Sequence, residues 1–377
     1  MRYYIIAGEA SGDLHGSNLI RALKKRDGEL LVRCWGGELM EKAGAELVKD
    51  YRELAFMGFI EVARNLRTIF KNLEFCKEDI LRFKPDALIL IDYPGFNLRI
   101  AGWAKTQGLK VIYYISPQVW AWKENRVKKI KTSVDLMLVI LPFEKAFYKK
   151  WDYQVEYVGH PLVEVVDAYK AGISGPRPNG IGNGSNFPII ALLPGSRKQE
   201  IQIKLPLMLS VSGFFPEYQF VVAQAPGQDD ALYQDLCRDY PKVSTVKNNT
   251  YSLLLRAKAA CVTSGTATLE TALFGVPEVV CYKGSIISYQ IAKRLIKVRY
   301  ISLVNLIMDK PVVKELIQDD LTTKNLRDAL DEILTNNQTR EKLANDYADL
   351  KSLLNLGGDA SANAANAITE FLRPNVF

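Results

Sequence analysis

The chain has 377 residues, 48% apolar and 24% charged, with 49 Lys and Arg against 42 Asp and Glu for a net charge of +7. At about 150 residues per domain that length predicts two domains, and the composition excludes a disordered or low-complexity chain. The modest positive charge favours anionic partners without choosing among phosphates, nucleic acid and an acidic membrane surface.

The five cysteines are an odd number, widely spaced and without a C-x-x-C pair. They exclude a disulfide framework and a cysteine zinc site, and fit a reducing compartment. With only two histidines, His15 and His160, a multi-histidine metal centre is not expected. No segment reaches the roughly 18 uninterrupted apolar residues of a membrane span. The start "MRYYIIAGEASGD" turns polar too early for a signal peptide. The expected location is the cytoplasm, with contact to a membrane from one side left open.

In chain order, β-rich runs predict strands over 3–6, 31–35, 87–91, 111–115, 136–140 and 155–158. Helical spacing lies between them, clearest where Leu66, Ile69, Phe70, Leu73, Cys76 and Ile80 share one face. Alternating β and α units imply a parallel sheet covered on both sides. The stretch 171–187, "AGISGPRPNGIGNGSNF", is dense in Gly, Pro, Asn and Ser and is read as a linker. Alternation then restarts, with strands over 189–193, 220–223, 259–262 and 279–282, and the chain is wholly helical from about 323. The expected fold is α/β, two facing doubly wound Rossmann-like domains with a cleft between them. The domains span 1–170 and 188–345, with terminal helices over 346–377. Ligands of such sheets bind beyond the carboxyl ends of the strands.

Several motifs fall at those ends. "IIAGEASGDLHG" follows the first strand; its small residues permit a tight turn, and Glu9 and Asp13 stand in it. For Asp13 an N-terminal helix cap is the preferred reading; for Glu9 cap and cleft are equally open. "LIDYPGFN" ends a buried apolar run in Asp92, which reads either as a cleft carboxylate or as the cap of the next helix. Pro94 and Gly95 are expected to turn the chain away from it. "LLPGSRKQE" sets Ser196 and Arg197 at a helix start, where a guanidinium suits bidentate phosphate contacts. "TSGTATLETALFGVP" places Ser264, Gly265 and Thr266 where a helix begins, a cradle for a diphosphate, with Glu270 one turn on for ribose hydroxyls. A simple capping arrangement would explain that segment taken alone. Beside the Arg197 loop, a nucleotide site is the better reading.

"YYISPQVWAWKENRVKKIK" carries Trp120 and Trp122 ahead of Lys123, Arg126, Lys128, Lys129 and Lys131. A second basic patch holds Lys293, Arg294, Lys297 and Arg299. The tryptophans are bunched before the charges, not interleaved with them, which argues against nucleic acid. "LAFMGFIEV", with Met57 and Phe59, reads either as core or as a segment resting in a bilayer interface. His160 in "VGHP" is read as structural.

Taken together, "AGEASGDLHG", "FMGFIEV", "IDYPGFN", "YYISPQVWAW", "LPFEKAFY", "VGHPL", "LLPGSRKQEI", "SGTATLETAL" and "YISLVNLI" resemble the lipid-A-disaccharide synthase family, in family order from residue 7 to past residue 300. The resemblance implies a GT-B type, inverting, metal-independent glycosyltransferase that needs no cofactor. Its substrates would be UDP-2,3-diacylglucosamine and 2,3-diacylglucosamine 1-phosphate (lipid X), and its product a β-1,6-linked disaccharide 1-phosphate plus UDP. It would act peripherally at the cytoplasmic face of the inner membrane, without nucleic acid, and a homodimer is compatible with it. It implies Asp92 as general base with Glu9 nearby, and Ser196 with Arg197 on the diphosphate. Ser264, Gly265 and Thr266 would bind phosphate, Glu270 ribose, and Asn305 would lie near the nucleotide. Met57, Phe59, Trp120 and Trp122 would meet the acceptor or the membrane. The chain departs from the family at Gly95, where a second acid often stands. Rival readings are a UDP-N-acetylglucosamine 2-epimerase or other UDP-sugar transferase, and a non-catalytic basic membrane-surface or nucleic-acid-binding protein.

Overall fold

The computed structural model describes residues 1–54, 66–122, 124–172, 187–284, 299–355 and 358–373. The chain divides into two units, Met1–Pro161 with Leu354–Phe377, and Leu162–Leu353. Met57, Phe59, Lys123, Lys293, Arg294, Lys297 and most of the expected linker lie outside the described residues.

The first unit is a seven-stranded parallel sheet of β1 (Arg2–Ala7), β2 (Leu31–Gly36), β3 (Glu46–Asp50), β4 (Ala87–Ile91), β5 (Lys110–Tyr114), β6 (Leu136–Val139) and β7 (Glu156–Tyr157). The strand order is β3-β2-β1-β4-β5-β6-β7. The chain therefore winds outward from β1 and returns to the other side of it as β4. Both faces are covered, so β4 is apolar at every position, "ALILI", and buried throughout. Alternate residues feed two cores. Ile5, Ala87, Ile89 and Ile91 join one, with Ala364, Ala365 and Ile368 of the last helix. Tyr4, Ile6, Leu88 and Leu90 join the other, with Leu73, Cys76 and Ile80 of the helix Leu66–Phe83. Phe70, expected on that helix's buried stripe, is 58% exposed. It stands a third of a turn away from Ile69, off the line through Leu73, Cys76 and Ile80.

The second unit is a six-stranded parallel sheet of β8 (Ile189–Leu193), β9 (Gln219–Gln224), β10 (Ser244–Lys247), β11 (Ala257–Thr263), β12 (Glu278–Tyr282) and β13 (Lys314–Ile317). Its order is β10-β9-β8-β11-β12-β13. The domain boundaries differ from those expected. The helix Pro161–Lys170 belongs to the second unit from Leu162 on, because the Tyr169 hydroxyl bonds Ser252 Oγ at 2.6 Å and Lys170 Nζ donates to Leu273 O at 2.7 Å. The helix Asn337–Leu354 also belongs to the second unit, up to Leu353. Ala360–Leu372 alone forms part of the first unit's core.

Candidate active site

A doubly wound sheet opens a crevice where its winding reverses, because the loops after the two neighbouring strands leave in opposite directions. In the first unit that point lies between β1 and β4, and the residues just past those strands are Glu9 and Asp92. Glu9 is exposed at the start of the helix Ala10–Lys24 and makes no side-chain cap bond there. Asp92 and Tyr93 both adopt left-handed backbone, with φ of 42° and 47°. Such conformations cost on the order of 1–3 kcal/mol each in residues other than glycine, so the surroundings must hold them. The Asp92 carbonyl accepts from Asn97 Nδ2 at 2.8 Å and from the Tyr113 hydroxyl at 2.5 Å. The Tyr93 ring lies where a Cβ on Gly8 would stand only 2.4 Å from it, so only glycine fits there. The Tyr93 hydroxyl donates to Leu54 O at 3.3 Å.

The turn after β4 is therefore made by Asp92 and Tyr93. Pro94 and Gly95, expected as the turn, are already the first residues of the helix Pro94–Thr106. Nor does Asp92 cap that helix: Tyr93 occupies the cap position without a side-chain bond. Burial pushes the Asp92 carboxyl up to about 7, the negative charge of Glu9 adds to the rise, and the Tyr93 amide opposes it. Asp13 does cap, but not its own helix: it accepts from the amides of Gly37, Leu39 and Met40 at 2.9, 3.2 and 3.0 Å, at the start of the helix Glu38–Lys42.

In the second unit the reversal lies between β8 and β11. A cavity of about 360 Å³ opens there, and Ser196, Arg197, Ser264, Gly265, Thr266 and Glu270 all line it. Gly265, at φ 148°, caps the helix Thr266–Phe274, whose first residues Thr266 and Ala267 line the cavity and whose first-turn amides lack helical partners. Arg197 is 62% exposed and pairs with Glu200 at 3.0 Å. Glu200 also stands 4.0 Å from Nζ of the buried Lys204. The Ser264 hydroxyl donates to Ile301 O at 2.7 Å. The Tyr251 hydroxyl donates to Glu270 Oε1 at 2.6 Å, while burial raises the Glu270 carboxyl above its ordinary value.

Asn305 does not line this cavity. It is buried beside a larger one of about 840 Å³ along β13. Its amide exchanges bonds of 2.9 Å with Val313 and donates to Glu315 Oε1 at 3.0 Å. Glu315 in turn accepts from the Ile301 and Ser302 amides. Asn305 thus braces the segment that Ser264 bonds. Trp120 is buried, edge-on to Phe143 at 4.9 Å, whereas Trp122 is 47% exposed with the Arg126 guanidinium 5.8 Å from its ring centre. His15 and His160 are buried in the first unit, and burial pushes them down to about 4 and about 3. Among the described residues no cluster of His, Cys, Asp and Glu could hold a metal ion, and no helix is long and apolar enough to cross a membrane.

Sequence reasoning missed Asn97, Tyr113, Tyr251, Glu200 and Glu315. Asn97 stands in the quoted "LIDYPGFN" and Tyr113 opens the next strand-end motif, so position was the available signal. Nothing in the sequence pairs Tyr251 with Glu270 or Glu315 with Asn305.

These two strand-end sites sit on a fold shared with nucleotide-sugar enzymes. The UDP-GlcNAc 2-epimerase from Neisseria meningitidis, solved with UDP-GlcNAc, superposes with a TM-score of 0.67 over 99% of both chains at 14% identity. The glycotransferase of kitacinnamycin superposes with a TM-score of 0.65 over 99% of both at 15% identity. The architecture is that of the two-unit, Rossmann-like glycosyltransferases and epimerases. The sequence narrows this further: the family model for lipid-A-disaccharide synthetase matches residues 3–369. The lipid-A-disaccharide synthase of Syntrophus aciditrophicus is 41% identical over 97% of this chain and 96% of its own, and that of Geobacter metallireducens 38% over 98% and 97%. The chain belongs to the lipid-A-disaccharide synthase family and is a glycosyltransferase.

Proposed function

We propose that this chain joins UDP-2,3-diacylglucosamine to 2,3-diacylglucosamine 1-phosphate, giving the β-1,6-linked lipid A disaccharide 1-phosphate and UDP. Family membership supports the substrates. The observation that carries the chemistry is Asp92, a carboxyl held at about 7 beyond β4. In this reading the acceptor 6-hydroxyl attacks the donor C1 and its proton passes to Asp92. A base is best matched when its pKa lies near the working pH. The bond from C1 to the phosphate oxygen breaks on the opposite face, so the configuration inverts and the electron pair leaves with UDP. Glu9 holds acceptor hydroxyls and keeps Asp92 basic.

Departing UDP carries the charge that must be stabilised. Arg197 exchanges Glu200 for the diphosphate, and the unpaired amides at the start of the helix Thr266–Phe274, which lines the same cavity, bind it too. Ser264 contributes its backbone N–H, because its hydroxyl proton is committed to Ile301. Glu270, oriented by Tyr251, accepts from the ribose. Arg197 and the helix amides supply the positive potential that a metal ion supplies elsewhere, so the reading is metal-independent. Because the acceptor is a lipid, the chain works at the cytoplasmic face of the inner membrane, with Met57, Phe59 and the exposed Trp122 on the acyl or membrane side.

The test is turnover of both substrates in detergent by wild type and Asp92→Ala, with disaccharide and UDP followed together. Disaccharide from the wild type, lost in Asp92→Ala while UDP binding persists, is the expected result. A folded, UDP-binding wild type that makes none would sink the lipid reading.

A further inference from the structure

Asp92 is set by a backbone that would not adopt its shape unaided. Two donors meet at its carbonyl oxygen, the Tyr113 hydroxyl from β5 at 2.5 Å and Asn97 Nδ2 from the following helix at 2.8 Å. The same Asn97 nitrogen lies 3.2 Å from Ile91 O and 3.4 Å from Ile6 O. One side-chain amide therefore draws together the carboxyl ends of β1 and β4, the two strands that carry Glu9 and Asp92. Both donors are fully buried. A donor buried that deeply and spent on a main-chain carbonyl gives up its water for one geometry, which makes it sensitive to small shifts.

We infer that Tyr113 and Asn97 are positioning residues for the reaction: they hold the Asp92 carbonyl, and so fix the left-handed Asp92–Tyr93 pair that aims the Asp92 carboxylate. The inference rests on the reading of Asp92 as the base. If the carbonyl is released, the peptide between Asp92 and Tyr93 rotates toward ordinary strand geometry. The carboxylate swings as Asp92 leaves φ 42°, because φ sets where its Cβ stands relative to β4. The groups that bear on the Asp92 charge are Glu9 and Tyr93 directly, and Tyr113, which itself feels Tyr148 and Arg126.

Tyr113→Phe removes one donor and keeps the ring in the core. The expected result is a fall in kcat of about tenfold with KM for the UDP-sugar unchanged, since the donor cradle belongs to the other unit. The acid-side midpoint of the pH–rate profile should also move below 7, as a loosened carboxyl gains solvent. Asn97→Ala should do the same more strongly, with circular dichroism confirming the fold. Wild-type kcat and an unmoved midpoint in Tyr113→Phe would overturn the inference. So would a loss of activity in both variants with the midpoint unmoved, which a purely structural role predicts. Asp92→Asn decides the underlying reading separately: full turnover in that variant overturns the base assignment, and the positioning role falls with it.

Discussion

Replacing Glu9 by Gln should move the acid limb of the pH–rate profile to lower pH without abolishing it. As the proposed base, with its carboxyl at about 7, Asp92 can take the acceptor proton only in its ionised form. About a tenth of the enzyme is then competent at pH 6 and about nine-tenths at pH 8, so kcat/KM should rise close to tenfold between them. Burial is the larger cause of the raised value and the charge of Glu9 the second. Glu9→Gln removes only the second, so the midpoint should fall but stay above that of an exposed carboxylate. The assay is the initial rate of UDP release at subsaturating acceptor, from about pH 5.5 to about pH 8.5. If Glu9 also holds acceptor hydroxyls the height of the curve drops, but the midpoint reports the electrostatics alone. A wild-type profile flat from pH 6 to pH 8, or a midpoint that ignores Glu9→Gln, refutes the reasoning.

The same carboxyl predicts a stability effect of opposite sign to function. A group held at about 7 rather than 3.8 costs the folded chain up to about 4 kcal/mol above pH 7 and nothing below pH 4, so Asp92→Asn should raise Tm at pH 8 and leave it unchanged at pH 4. In the second unit, Tyr251→Phe should weaken UDP binding by about tenfold (~1.4 kcal/mol) by freeing Glu270, and calorimetry with UDP that finds an unchanged Kd would remove Glu270 from the ribose role. His15 and His160, pushed down from 6.5 to about 4 and about 3, contribute stability that is present above 6.5 and lost as pH falls toward 4, about 3 kcal/mol for His15 alone. All five tryptophans precede residue 162, so a urea midpoint followed by their fluorescence reports the first unit. Its acid loss should shrink in His15→Gln, and an equal loss in both proteins would contradict this.

The buried strands were legible because parallel strands covered on both faces are apolar at every position, as "ALILI" and "IIALL" are. β3, β10 and β13 were not, because they are sheet edges whose half-exposed residues carry Lys, Glu and Asp instead of an apolar run. Residues just past strand ends stood out for the same physical reason: Asp92 ends the β4 run directly, and Arg197 and Ser264 follow the β8 and β11 runs within a few residues. The partners of those residues did not stand out. Asp13 gave no sign that it caps a helix 24 residues further on. Asn305 matched a motif yet bonds Val313 and Glu315, 8 and 10 residues on, where β13 begins. Local chemistry is written in the sequence, whereas which element receives a hydrogen bond is decided by topology.

The second unit is enclosed within the first in chain order, since Met1–Pro161 precedes it and Leu354–Phe377 follows. During synthesis the whole of 162–353 therefore emerges while one face of the first sheet still lacks Ala364, Ala365 and Ile368. The second unit, contiguous in sequence, can close on the ribosome, but the unit that carries Asp92 must wait for a helix made afterwards. In a nascent chain the cavity lined by Arg197 and Ser264 therefore has its whole unit before the turn that carries Asp92 has its full core.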